Sequence, residues 1–321
     1  MAILMGWIAD LEEQLLIAGV KTFSCPVCCA GYDNLPQPGC FGVCTGDSIT
    51  SVLKEIHEKF PLASVYEFKQ EVRKLRLGLS GSFEDPCWEG LGVDPYVFIK
   101  QDILHGIHKF IWDHPGTWLR HLLGDQEMDC RFIAQPPLHF QHFSSGISKI
   151  SQASGREHRT YQRLILPVIA GHEKVDNKVI KTIRSILDYA YMVQYPVLSE
   201  IDLQKMASLL IVFHQNKEIF VSNGSQNSDH LRIPKLHTLR HFMDDVRSGG
   251  TPDNFSTETP ESLHIDMCKI PYRASNHREF NKQILNYLDI HDHLAMRHAY
   301  EEYQTQRIRG LDDGSVSTAC L

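Results

Sequence analysis

The stretch GTPDNFSTETPESLHID, residues 250 to 266, gathers Glu258, Glu261, His264 and Asp266 around Pro260. Carboxylates and an imidazole at this density suit a divalent cation and the phosphates it would carry. The same residues also suit a plain helix start. Thr259 fits an N-cap, Pro260 a first turn, and Glu261 is favoured there by the helix dipole. That second reading leaves Glu258, His264 and Asp266 without a task.

Four other groups bear on chemistry. Asp10 follows the apolar run ILMGWIAD and precedes LEEQLL. An acid at the end of a strand is a rigid place to hold Mg²⁺, and an acid before a helix is also an ordinary cap. Cys25, Cys28 and Cys29 form CPVCC, with Cys40 and Cys44 a short Gly/Pro-rich loop later. Cys25, Cys28, Cys40 and Cys44 have the spacing of a tetrahedral zinc site with Cys29 spare, the alternative being a cluster of free thiols. Asp102 and His105 in QDILHGIH are three apart, on one helix face extended by His108, as a metal-directed pair or a surface pair. His237 and His241 in PKLHTLRHF are four apart with Arg240 between them. They read as facing phosphate or as satisfied core histidines, and 18 histidines in one chain make such pairs common.

The elements that must position these groups are mostly helical, so the expected class is mainly α. The apolar run before Asp10 reads as one strand and LEEQLLIAGVK as a helix stopping near Gly19. Helices are then expected over 48–60, 64–77, 95–123 (divided at Pro115), 156–169, 178–195, 200–220, 235–247, 260–270 and 279–304. A lone strand is odd, because its backbone groups lack ladder partners. Expected regions are a strand-plus-helix segment over 1–24, the cysteine cluster over 25–47, a helical region over 48–308 and a tail over 309–321.

The composition is that of a globular domain, with 42% hydrophobic and 22% charged residues. A formal net charge of -7 argues against a protein that grips DNA mainly through phosphates, unless a basic patch or a further segment supplies the grip. Asp10, Glu12 and Glu13 interrupt the apolar N-terminus, so neither a signal peptide nor a membrane helix is expected. Cys320 is next to last, wrong for prenylation. Nine cysteines without a leader point to a reducing compartment, nucleus or cytoplasm.

Taken in order, IADLEEQLLIAGV, CPVC, DPYVFIKQDILHGIHKFIWDH, MDCRF, GISKISQASGREHRTYQRLILPVIAGH, RIPKLHTLRHF, GTPDNFSTETPESLHIDMCKIPYRASNHREF and QILNYLDIHDHLAMRH resemble the C-terminal part of fungal Plavaka-type transposases, of the Kyakuja-Dileera-Zisupton group. The resemblance spans roughly residues 8 to 298. It implies an RNase H-like core with a large helical insertion, here a residual α/β fragment. It also implies three acids holding two Mg²⁺ ions for in-line phosphoryl transfer on DNA. By motif, Asp10 resembles the second acid, and Asp102 with His105 the Asp-x-x-His motif between second and final acids. Glu258 resembles the final acid, with Glu261 as the alternative. The family's first Asp has no counterpart here, because the chain starts nine residues before Asp10. The expectation is a truncated, transposon-derived chain, inactive alone and binding DNA weakly or only with a further N-terminal region. The alternative is a host-retained zinc-binding or protein-interaction module. The family usually has an arginine after the second glutamate of this stretch, where this chain has Ser262.

Overall fold

Asp10 starts the first helix, Leu11–Ala18, by accepting the Glu13 amide at 2.9 Å. Gly19 ends it in the left-handed region at φ 71°, which a residue with a Cβ adopts only under strain. The computed structural model describes residues 4–39, 41–61, 64–74, 78–80, 86–137 and 141–312. They form two compact units, residues 1–257 and 258–321.

The expected strand before Asp10 is not a strand in the structure. Residues 1–3 lie outside the described residues, and Trp7 forms one isolated parallel bridge with Ile99, its amide donating to Phe98 O at 2.7 Å. Among the described residues, pairing is limited to that bridge, Val20 with Leu79, and Cys28 with Val43. An apolar run without neighbouring strands cannot propagate a ladder, so it stays extended and isolated. The chain is accordingly mainly helical.

The first unit has two apolar cores. In the first, Ile49, Leu53 and Ile56 of the helix Gly46–Lys59 share one face and meet Phe68 and Val72 of the helix Val65–Lys74. Trp88 packs in the same core and donates its indole N–H to Ile17 O at 2.7 Å. The second core spans Ile103 to Phe242. Its helices Gly155–Ile169 and Glu200–Asn216 start at reciprocal capping boxes, Ser154 with Glu157 and Ser199 with Asp202. Phe132 stacks on Tyr161 and meets Phe143 edge-on.

The helix expected over 95–123 differs in two ways. It breaks at residues 99–102, after the single turn Pro95–Phe98. It then runs through Pro115 instead of dividing there. The wide π-turn Trp112–Gly116 carries this proline, which has no N–H and would crowd the carbonyl four residues back in a regular helix. At Gly116 an added Cβ would sit 3.0 Å from Tyr161 Oη and 3.2 Å from Ile111 O, so glycine lets the neighbouring helix come close.

In the second unit, the helix Glu258–His264 leads through a wide turn, Ile265–Lys269, into Ile270–Ala274. It begins at Glu258, so Thr259 and Pro260 stand inside its first turn and Thr259 is not the N-cap. The long helix Phe280–Asp312 follows. None of the described helices is long and apolar enough to cross a membrane.

Phe132 is fully buried between two rings. Phe132→Ala should therefore cost about 3–5 kcal/mol in denaturant unfolding of the full chain. Leu294→Ala, at a position 61% exposed in the second unit, should stay within about 0.5 kcal/mol.

Candidate metal centre

The CPVC turn is shaped around its first sulfur. The amides of Val27 and Cys28 both donate to Cys25 Sγ at 3.4 Å, and the Cys25 amide returns to Ala30 O at 2.9 Å. Two backbone donors on one sulfur partly offset the cost of a thiolate there. The bridge of Cys28 with Val43 then fixes which way the second cysteine faces.

Two histidines complete the group. Residues 234–249 form one helical run: Pro234–Thr238, the 3₁₀ turn Leu239–His241 and Phe242–Gly249. Leu236, Leu239 and Phe242 anchor it in the second core, and the Tyr189 hydroxyl donates to Leu239 O. The remaining face presents His237 and His241, one turn apart. Their Nε2 atoms lie 3.2 Å from Cys28 Sγ and Cys25 Sγ respectively. All four donor atoms fall within 4.8 Å of one another. The four residues are 1%, 3%, 2% and 6% exposed in the order Cys25, Cys28, His237, His241.

Two thiols and two imidazoles converging in a dry site, with no carboxylate among them, fit zinc. Tetrahedral bond lengths put sulfur and nitrogen ligands roughly 3.5 Å apart, close to the spacing seen. The spacings Cys-x₂-Cys and His-x₃-His are those of zinc-finger half-sites. Burial pushes the Cys25 thiol up, and its hydrogen bond to Cys28 adds to that. Cys28 is pulled down, first by that same bond and, against burial, by the bonds from His237 and His241. A metal bound here would take the place of protons on these thiols.

Among the described residues the group assembled is Cys25, Cys28, His237 and His241, which shares two residues with the expected four-cysteine set. Cys25 and Cys28 are in the group. Cys44 instead has its sulfur 3.4 Å from Cys29 Sγ, and Cys40 lies outside the described residues. Bridging Cys28 to Val43 turns Cys29 to the other face of the paired segments, where Cys44 also points. The only sequence signal for the missing ligands was the four-residue spacing of His237 and His241.

The other candidate residues are placed as follows. Asp10 caps its helix with one carboxylate oxygen. Asp102 precedes the helical run from 103 and accepts the amides of Leu104 at 3.2 Å and His105 at 2.8 Å, as an N-cap does. It also receives His105 Nδ1 at 2.8 Å. Burial raises its carboxyl, but the bonds from His105 and Thr257 outweigh this and hold it below the usual range. His108 is buried, with Nδ1 3.0 Å from Gln162 Oε1. Glu258 and Glu261 stand in the first turn of the second unit's first helix, and His264 and Asp266 are exposed further along.

Residues 1–119 match the Plavaka transposase family model. The match bears out the family resemblance over that stretch. The Plavaka match contains Asp10, Cys25, Cys28, Asp102 and His105, and ends before the two histidines and the two glutamates. Searches of curated proteins and of solved structures gave no match.

Purified full-length chain should carry about one zinc per molecule, by elemental analysis. Cys25→Ser with Cys28→Ser should abolish it, as should His237→Ala with His241→Ala. Cys29→Ser with Cys44→Ser should retain it. Zinc that follows Cys44 instead would show that the ligand set is the four-cysteine one.

Proposed function

We propose that this is a chain derived from a Plavaka-type DNA transposase of the RNase H-like, three-acid class, stabilised by zinc at Cys25, Cys28, His237 and His241. The family match over residues 1–119 carries this reading. Asp10 is then the second acid, and Glu258, or else Glu261, the final one. Mg²⁺ bound by such acids would activate the attacking oxygen and stabilise the leaving one.

One packing observation supports this reading. The Phe255 ring lies where Gly6 and Gly249 leave room for it. A Cβ on either would come within 2.5 Å and 2.8 Å of that ring. The segment entering Asp10 therefore packs beside the one leading towards Glu258. Asp10 uses one oxygen for its cap, leaving the other for a cation.

The chain supplies candidates for two of the three acids, so it should neither nick nor join DNA with Mg²⁺ or Mn²⁺. DNA binding should be weak and fall steeply with salt, as a net charge of -7 leaves little phosphate neutralisation. Gel-shift and supercoiled-plasmid nicking assays check both. Metal-dependent nicking abolished by Asp10→Asn would show that the chain is itself an enzyme. Tight, sequence-selective binding would contradict the DNA expectation.

A second reading is a zinc-stabilised interaction module without catalysis. The buried Cys/His group favours it, because that group needs none of the acids. Retention of zinc with no divalent-cation binding at Asp10 would support it.

A further inference from the structure

Asp102 is the most fully engaged buried acid of the site region. One oxygen accepts the Leu104 amide at 3.2 Å and the Thr257 amide at 2.8 Å. The other accepts the His105 amide at 2.8 Å, the Thr257 hydroxyl at 2.9 Å and His105 Nδ1 at 2.8 Å. Thr257 stands 155 positions along the chain from Asp102. Five donors meet a group that offers about four lone-pair sites. The side chain is 2% exposed. A hard divalent cation needs a carboxylate oxygen with capacity to spare, and this one has none.

The donors are not all local. Leu104 and His105 would satisfy an N-cap by themselves. Thr257 adds its amide and its hydroxyl, and its hydroxyl oxygen is also 3.1 Å from His105 Nδ1. Thr257 is the last residue of the first unit, and Glu258 is the next residue in the chain. Just upstream, the short turn Pro252–Phe255 is pinned by the Phe255 ring beside Gly6 and Gly249. The segment is thus held at two points, one apolar and one ionic. Buried acids with this many partners are strong points of attachment, since loss of one partner leaves a charge poorly solvated.

We propose that Asp102 is a positioning residue and not a metal ligand: with His105 it grips Thr257 and so fixes the point from which the chain runs into Glu258. The catalytic value of that grip rests on the assignment of Glu258 made above; the grip itself does not. Catalytic carboxylates tolerate little displacement, and a site at the end of an irregular segment needs support of this kind. Within the Asp-x-x-His spacing, the aspartate supplies the anchor. The histidine, its Nδ1 proton directed at the aspartate, closes the anchor around the threonine.

The test uses full-length chain and two readouts: amide hydrogen exchange over residues 250–262 and Mn²⁺ binding by electron paramagnetic resonance. Asp102→Asn and, independently, Thr257→Val should speed exchange at Thr257 about tenfold, as expected for losing one hydrogen bond to a charged group. Thr257→Ser, which keeps the hydroxyl, should exchange like the parent. Exchange elsewhere in the first unit should not change. Asp102→Asn should keep the Mn²⁺ stoichiometry with weaker affinity, whereas Asp10→Asn should lose the ion. Unchanged exchange at Thr257 in both Asp102→Asn and Thr257→Val overturns the grip. Loss of Mn²⁺ in Asp102→Asn as complete as in Asp10→Asn, with exchange unaltered, makes Asp102 a metal ligand and overturns the proposal. If the parent binds no Mn²⁺, the catalytic assignment of Asp10 and Glu258 falls, and the exchange result alone upholds or overturns the grip. Should Asp102→Asn fail to fold, Thr257→Val against Thr257→Ser decides it.

Discussion

The first unit depends on one junction, the meeting of Cys25 and Cys28 with His237 and His241. Cys25 and Cys28 belong to the core built from residues 15–99. The histidines stand on a helical run whose Leu236, Leu239 and Phe242 belong to the core built from residues 103–242. Each core is held by ordinary apolar burial, which does not specify how one core seats on the other. Four polar donors brought into a dry seam do specify it, because they are satisfied together or not at all. A metal bound there would add its binding free energy to the folded state alone.

The rest of the seam follows the same logic with weaker contacts. Gln14 donates to Ala9 O and Lys100 O from a buried side chain. Asp245 accepts the Gln101 amide at 2.9 Å and lies 3.6 Å from Lys100 Nζ; burial raises its carboxyl to about 6 despite both partners. Lys217 donates to Pro36 O and lies beside His214, and burial lowers its ammonium to about 8. Such groups add little net stability, because desolvation offsets their attraction. Their directional bonds hold the cysteine-bearing loops against the helical core.

The three acidic positions have different physical characters. Asp102 is dry and saturated. Asp10 keeps an oxygen uncommitted after capping its helix. Glu258 and Glu261 open an exposed helix in the second unit. Burial and hydrogen-bond count separate these residues, although they look alike in a motif string. The Plavaka match covers Asp10 and Asp102, and Phe255 packs against Gly6 and Gly249.

Local chemistry in the sequence determined much of this protein. The helical class, most helix positions, the cap at Asp10, the stop at Gly19 and the knuckle-forming Cys-x₂-Cys all rest on interactions within a few residues, which spacing records. So did the family resemblance, since the order of motifs survives without any contact being known. Local rules failed where a distant partner decided the outcome. The apolar run before Asp10 had strand chemistry and, among the described residues, found only Ile99 to pair with. Pro115 had breaker chemistry and was absorbed by a wide turn packed on Tyr161. Cys44 had the right spacing for the metal, but with Cys28 paired to Val43 its sulfur lies beside Cys29. His237 and His241 meet Cys28 and Cys25 from more than 200 residues away. Thr257 carried no signal of its own and became the partner of Asp102. Only the folded chain brings such pairs together, because the free energy that selects them comes from burying both members at once.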